Sequence, residues 1–345
     1  MTVVPQPPYP LHESIRDRLH PEYVAFYNQF IINQQQVHYQ PVTASRTSGI
    51  LIPGGGPVVD VGKVEDISVK RSETEGPDIP VRVFTPPGER PENGWPVCLY
   101  FHGGGWVLGN INTENTVCSN VCLRGKCVVV TVDYRLAPEY PFPAAVHDCW
   151  EALLWLVSSA TASALSIDTS KLLVAGSSAG GNLAAVMTHK ALALSQGDSE
   201  SHRPIRIVKQ VLVVPVMDNT ATVANNWSWR EFEHTAALPA AKMMWYRNHY
   251  LPIETDRANP EASPLLYDDD DNWSKLAPAV IIVGELDVLR GEGETYAEKL
   301  QRAGVPVDLH LMQGMPHPFL AMDSVLQAGK TAITLFCEAA LSAFY

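Results

Sequence analysis

Two kinds of apolar spacing divide the chain. Over residues 5–41, Leu11, Ile15, Leu19, Tyr23, Tyr27 and Ile31 recur at steps of four, the spacing of one helix face. Pro21 would open a fresh helix, since the N–H it lacks is one that a helix start leaves unpaired. The segment is therefore predicted as two helical pieces laid against a larger body. The proline- and glycine-rich stretch Ile52–Pro57 separates it from that body.

From Val64 the pattern changes to short apolar runs. Val64–Val69 and Val81–Phe84 flank the acidic turn Glu73–Pro80, a connection short enough for an antiparallel pair. Val97–Phe101, Cys127–Val132, Leu172–Ala175, Ile207–Val214, Val280–Val283 and Val307–Leu311 read as buried strands. Between or after them lie helical stretches at Glu114–Leu123, Ala144–Ser158, Ala179–Leu194, Gly293–Arg302 and Val325–Ser342. Near-continuous apolar strands alternating with helices imply an α/β fold, with a mostly parallel sheet covered on both faces.

Asp218–Ser263 breaks the alternation. It has no strand pattern, carries Trp227, Trp229, Phe232, Trp245, Tyr246 and Tyr250, and is predicted as two helices. Such an insertion can be a lid over a site or plain packing. The expected layout is a helical cap from residues 1–50 and 218–262, with the body in residues 60–217 and 263–345.

Chemistry enters at Gly176-Ser177-Ser178-Ala179-Gly180, between the strand candidate Lys171–Ala175 and a helix opening on small residues. Strand, tight turn and helix are the setting that a G-x-S-x-G nucleophile elbow requires. Ser178 holds the motif's centre, and Ser177 is the rival hydroxyl. After Val97–Phe101 comes His102-Gly103-Gly104-Gly105-Trp106, whose glycines leave backbone N–H groups open to a developing oxyanion. Gly104, Gly105 and Ala179 are the candidate donors; Gly103 is read as shaping the turn and His102 as holding it. The stretch Gly54-Gly55-Gly56 follows no strand and is read as a plain loop.

His317 lies in a glycine- and proline-rich loop after the last strand, where an imidazole could take the serine proton. Asp287 follows Val280–Val283 and is the candidate acid orienting that imidazole, with Glu285 as competitor. The chain order Ser178, Asp287, His317 is the one expected when such an elbow is set in an α/β fold.

His102–Trp106 (HGGGW), Asp133–Glu139 (DYRLAPE), Gly176–Gly181 (GSSAGG), Ser263–Leu265 (SPL) and Gly314–His317 occur in this order. Together they resemble the hormone-sensitive-lipase-like carboxylesterases over residues 60–340. The resemblance implies an eight-stranded α/β-hydrolase core under a helical cap, with a triad at Ser178, Asp287 and His317 and oxyanion glycines at Gly104 and Gly105. It also implies structural roles for Asp133 and Arg135, expected to brace loops by ion pairing. Three departures stand out. Ser177 replaces the aspartate common in the family's elbow, and Val288 and Gly291 replace a proline and an aspartate of its acid motif. Pro318 stands for the glycine after the histidine.

Composition narrows the partners. With 345 residues, 18% charged and a net charge of −12, the chain lacks the basic footprint of nucleic-acid or anionic-membrane binding. No run approaches the roughly 20 apolar residues that span a bilayer, and Met1–Ile15 lacks the pattern of a signal peptide. The protein is expected to be soluble and cytoplasmic, without a stable membrane anchor and with a homodimer possible. Its six cysteines are expected to be buried thiols. Asp268–Asp271 is read as a solvated loop, because a calcium loop needs spaced donors around a glycine turn. No metal or cofactor is implied. The expected substrate is a small-molecule ester of short to medium acyl chain, or a bulky one. An acyltransferase, an amidase or a catalytically silent receptor on the same fold stay open; receptors that resemble this family typically lack the histidine, which this chain keeps.

Overall fold

The computed structural model describes residues 4–47, 53–196, 204–268 and 270–345. Eight strands form one sheet: β1 (Lys63–Val69), β2 (Ile79–Thr85), β3 (Trp95–Phe101), β4 (Val128–Val132), β5 (Ile167–Ser177), β6 (Ile207–Val213), β7 (Ala279–Gly284) and β8 (Val307–Met312). Their order across the sheet is β1-β2-β4-β3-β5-β6-β7-β8. β1 pairs with β2, and β2 with β4, antiparallel; every other pairing is parallel. In β3, β4 and β7 every residue is buried, as strands covered on both faces demand. The edge strands β1 and β8 expose residues along their length, because only one neighbour and one helical layer shield them.

The helices are α1 (Glu13–Arg16), α2 (Pro21–Phe26), α3 (Val42–Thr47), α4 (Asn115–Gly125), α5 (Ala144–Val157), α6 (Ser159–Leu165), α7 (Ala179–Gln196), α8 (Trp227–Glu231), α9 (Ala240–Tyr250), α10 (Asp270–Trp273), α11 (Arg290–Arg302) and α12 (Gln327–Phe344). Pro21 is the first residue of α2, as its missing N–H predicts. The α2 coil loosens into a π-turn at Tyr27–Ile31. α10 starts inside the acidic run expected to be loop, of which Asp269 lies outside the described residues, as does Ile52 of the glycine-rich stretch. All six cysteines are buried free thiols. Among the described residues no helix is long and apolar enough to cross a membrane.

The order of strands decides where a site can form. From β3 the chain steps to one side to make β4, then returns past β3 to make β5. Loops leaving the C-terminal ends of β3 and β5 therefore diverge, leaving a crevice at the switch point where ligands of open α/β sheets bind. The glycine loop follows β3 and the elbow follows β5, so the topology sets them side by side. The N-terminal segment and the insertion meet above this edge. Arg18 pairs with Glu231 at 2.9 Å and lies over the Phe232 ring, and His12 packs on His234 at 4.4 Å between centroids.

Candidate functional site

Ser178 has a left-handed backbone, φ +55°, unusual for a side-chain-bearing residue and a local strain of order 1–3 kcal/mol. The turn is held by Ser178 N–H on the Val213 carbonyl (2.8 Å) and by the Ser178 carbonyl, which accepts from Asn182 N–H (3.1 Å). A Cβ on Gly180 would run into the Phe101 carbonyl, so α7 can approach β3 this closely only with glycine there. The result lifts the serine oxygen off the sheet edge at the mouth of α7.

His317 comes to that oxygen from the loop after β8, with Nε2 2.9 Å from Ser178 Oγ. Its Nδ1 lies 2.8 Å from Asp287 Oδ2, in the loop after β7. A carboxylate facing Nδ1 fixes the ring proton there and turns the Nε2 lone pair toward the serine hydroxyl. Asp287 is 1% exposed and His317 5%, against 8% for Ser178; the serine is the open end of the series. The second Asp287 oxygen accepts Leu289 N–H at 3.0 Å. Glu285, the competing acid, instead accepts Gly314 N–H at 2.6 Å and braces the histidine loop.

Gly104 and Gly105 have φ +122° and +61° and line the cavity with Ser178. Their amides and that of Ala179 have no acceptor among the described residues. Gly103 N–H is used at 3.1 Å on Glu114, consistent with a turn-shaping role. His102 holds the turn as expected: its Nδ1 is 2.7 Å from the Gly103 carbonyl and its ring stacks on Tyr134 at 4.3 Å. Burial pushes its pKa down to about 4, so it is neutral at pH 7. Ion pairing holds for Arg135, whose guanidinium grips Asp148 (2.7 Å) beside Arg71. It does not hold for Asp133, which is in no ion pair among the described residues. The Asp133 carboxylate accepts the Ile111 N–H instead, and burial raises its pKa.

Glu114 is the residue that sequence reasoning passed over. Its carboxyl, 6% exposed, accepts from Ser177 Oγ (2.6 Å), Tyr100 Oη (2.8 Å) and Gly103 N–H. Burial drives its pKa upward against the pull of these three donors. One carboxyl thus ties the elbow, β3 and the glycine loop together. The signal for it was the lost carboxylate: Ser177 stands where aspartate is common, and the acid reaches the same spot from the opposite loop.

The insertion is fastened to the loop that carries Asp287. Ser228 donates to the Val288 carbonyl (2.6 Å) and Thr235 to that of Leu286. At its exit, Ser263 Oγ accepts Asn219 N–H (2.7 Å) and donates to the Arg257 carbonyl. Of its six aromatics, only Tyr246 lines the cavity. Trp229, Phe232 and Tyr250 are fully buried, with Tyr250 stacked on Trp106 at 4.3 Å, a pair worth about 1 kcal/mol beyond its burial. The cavity over Ser178 is about 150 Å³, walled by both helical segments through Tyr23, Ile31, Leu238, Lys242 and Met243.

A serine, histidine and carboxylate joined in series at the C-terminal edge of such a sheet define an α/β hydrolase. Residues 98–321 match the family described by the alpha/beta hydrolase fold. The chain belongs to this family, in its hormone-sensitive-lipase-like group. It is 48% identical over 339 residues to an AB hydrolase superfamily protein of Schizosaccharomyces pombe, covering 97% of each chain. It is 33% identical to the ethyl acetate hydrolase of Pseudomonas putida, over 80% of this chain and 81% of that one. Among solved structures, the hyperthermophilic esterase of the archaeon Pyrobaculum calidifontis superposes with a TM-score of 0.79 at 32% identity, covering 95% of this chain and 99% of that one.

Proposed function

We propose that this protein is a serine carboxylester hydrolase working by two-step acyl transfer. That its relatives are esterases and carboxylesterases supports ester hydrolysis as the activity. The observation that carries the mechanism is the 2.9 Å approach of His317 Nε2 to Ser178 Oγ, backed by Asp287 at 2.8 Å. His317 takes the Ser178 proton as Oγ attacks the ester carbonyl. The Gly104, Gly105 and Ala179 amides receive the negative charge that builds on the carbonyl oxygen. His317 then returns the proton to the departing alcohol, leaving an acyl-serine. Water, deprotonated by the same ring, attacks that acyl group and releases acid and free serine. Asp287 keeps the ring in register and stabilises it when protonated.

The N-terminal segment and residues 218–262 act as one cap over this centre. A cavity near 150 Å³ is the size that accepts a benzene ring. It suits acetyl to hexanoyl or benzoyl groups better than long chains. Release of p-nitrophenol from acetyl through palmitoyl esters tests this. Wild type should favour the short esters, and Ser178→Ala should lose about a thousandfold or more in kcat on all of them. Full activity in that variant would remove Ser178 from its role, and comparable turnover of palmitoyl and butyryl esters would overturn the size assignment.

A further inference from the structure

The wall of the cavity holds a charge with no counter-ion among the described residues. Lys242 is the third residue of α9, and its Nζ donates to the Ala237 carbonyl at 2.7 Å. Among the described residues no carboxylate lies within ion-pair distance of it. An ammonium has three donors, so two are left without a protein acceptor among the described residues. Glu114, the one carboxylate among the described residues of the same wall, has both oxygens engaged by Ser177, Tyr100 and Gly103.

Two physical costs accompany this placement. A half-buried cation on a wall with Leu238, Met243 and Tyr246 loses part of its hydration without gaining a counter-ion among the described residues. It also sits in the first turn of an α-helix, where the helix dipole disfavours positive charge. Burial draws its pKa down to about 8, leaving it mostly charged at pH 7. His38, whose pKa is lowered to about 4 by burial and by this ammonium, adds no second charge. The same helix end that repels the lysine attracts an anion.

We infer that Lys242 is the docking point for a free carboxylate carried by the ester substrate, so that the natural substrates are esters bearing a second, unesterified acid group. This rests on the ester-hydrolase reading of Ser178. The carboxylate completes the ion pair that the described residues leave open, and the apolar neighbours strengthen it by limiting its contact with water. The acid group can belong to the acyl part, as in a dicarboxylic monoester, or to the alcohol part, as in an acylated hydroxy acid. The chain's net charge of −12 repels such substrates at long range, which makes a local cation the device that retains them.

The test compares two matched pairs of esters in wild type and in Lys242→Gln, whose amide can still donate to the Ala237 carbonyl. Monoethyl glutarate against ethyl 4-carbamoylbutanoate places the charge in the acyl part. 3-Acetoxypropanoate against 3-acetoxypropanamide places it in the alcohol part. In wild type, kcat/KM should favour the anion about tenfold or more in one pair, which identifies the side. In Lys242→Gln that ratio should fall about tenfold, chiefly through KM. A wild-type ratio near or below one in both pairs, or a ratio unchanged by the substitution, overturns the inference. If wild type hydrolyses no ester at all, the hydrolase reading fails. Anion docking is then read as the rise in Tm of Ser178→Ala with monoethyl glutarate, which must vanish in Ser178→Ala/Lys242→Gln for the inference to stand.

Discussion

The sheet body and the helical segments proposed as its cap solve the same packing problem differently. In the body, β3, β4 and β7 are buried along their whole length, and α7 and α12 each run for 18 residues against the sheet. In the cap, α1 and α8 have 4 and 5 residues, a π-turn interrupts the N-terminal coil, and Phe30 and Trp227 stand exposed. Hydrogen-bonded strand ends can hold reacting atoms to fractions of an ångström, which acyl transfer needs. Short, irregular helices tolerate replacement of a side chain without moving their neighbours far. Ser178, Asp287, His317 and the amides proposed to receive the oxyanion all leave strand ends of the body, whereas the proposed cap contributes walls such as Tyr23, Lys242 and Tyr246. A change in the body should therefore lower the rate on every ester, and a change in the cap should re-rank the esters.

The largest effect lies where the two regions touch. A methyl group on Gly105 would meet the ring of Tyr246 from α9, and φ +61° already disfavours alanine there. Gly105→Ala should lower kcat about a hundredfold on all esters, the usual size for losing one oxyanion donor. Removing the ring as well, in Gly105→Ala/Tyr246→Ala, should recover part of the loss, and the double-mutant cycle measures how stiffly the cap bears on the glycine loop. A loss under threefold for the single variant would take the Gly105 amide out of the oxyanion hole and make the boundary soft.

A smaller effect tests the carboxylate that joins the body's loops. Ser177→Asp restores the aspartate common in related elbows, but here it would face Glu114 across the present 2.6 Å contact. Two carboxylates cannot both ionise that close, so the variant should lose roughly 2–3 kcal/mol of stability, read by denaturant unfolding, on the scale of an unpaired buried charge. Adding Glu114→Gln should give back most of that loss, since an amide can donate to the new aspartate. If Ser177→Asp alone is as stable as wild type, the Glu114 carboxyl is already protonated in the fold and gives Ser177 no electrostatic support.

The same division explains what could be read from sequence. Ser178 was legible because its context is local: strand, glycine turn and small-residue helix lie within about twenty residues of one another. Asp287 and His317 were legible through chain order at the ends of apolar runs. Glu114 was not, because Ser177 is 63 residues away and no periodicity links loops that meet only through strand order. α6, of sequence SATASAL, has too little apolar contrast to announce a helix. In the insertion, Trp229 and Tyr246 are alike in sequence, yet one is packed inside and the other faces the cavity. That difference depends on how the helix is rolled against the N-terminal segment. Lys242 was hidden for the same reason.

The smallest effect separates the regions by acid. His102 and His189 are buried in the body, 1% and 5% exposed, and burial lowers their pKa values to about 4 and about 3. Unfolded, each would titrate near 6.5. Between pH 6.5 and about 4 the unfolded chain therefore binds protons that the folded chain refuses, so stability rises with pH across this window. The contribution is complete above pH 6.5 and is lost as pH falls toward 4, at a limiting slope of about 1.4 kcal/mol per pH unit for each ring. From pH 7 to pH 5 each should remove about 2 kcal/mol. His189→Gln should flatten the slope of unfolding free energy against pH by about one proton, whatever it does to stability at pH 7. Its ring stacks on Tyr267 at 4.0 Å, lies 3.3 Å from the Tyr296 hydroxyl and is approached by Lys299, so a proton there meets a cation and, among the described residues, no carboxylate at ion-pair distance. His38 in the cap is only half-buried, and its lowered pKa of about 4 owes part to the Lys242 ammonium, an interaction that solvent screens, so His38→Gln should change the slope by less. An equal change from both substitutions would mean that cap and body exclude water alike. The rigid-body, adaptable-cap contrast would then have to rest on helix length alone.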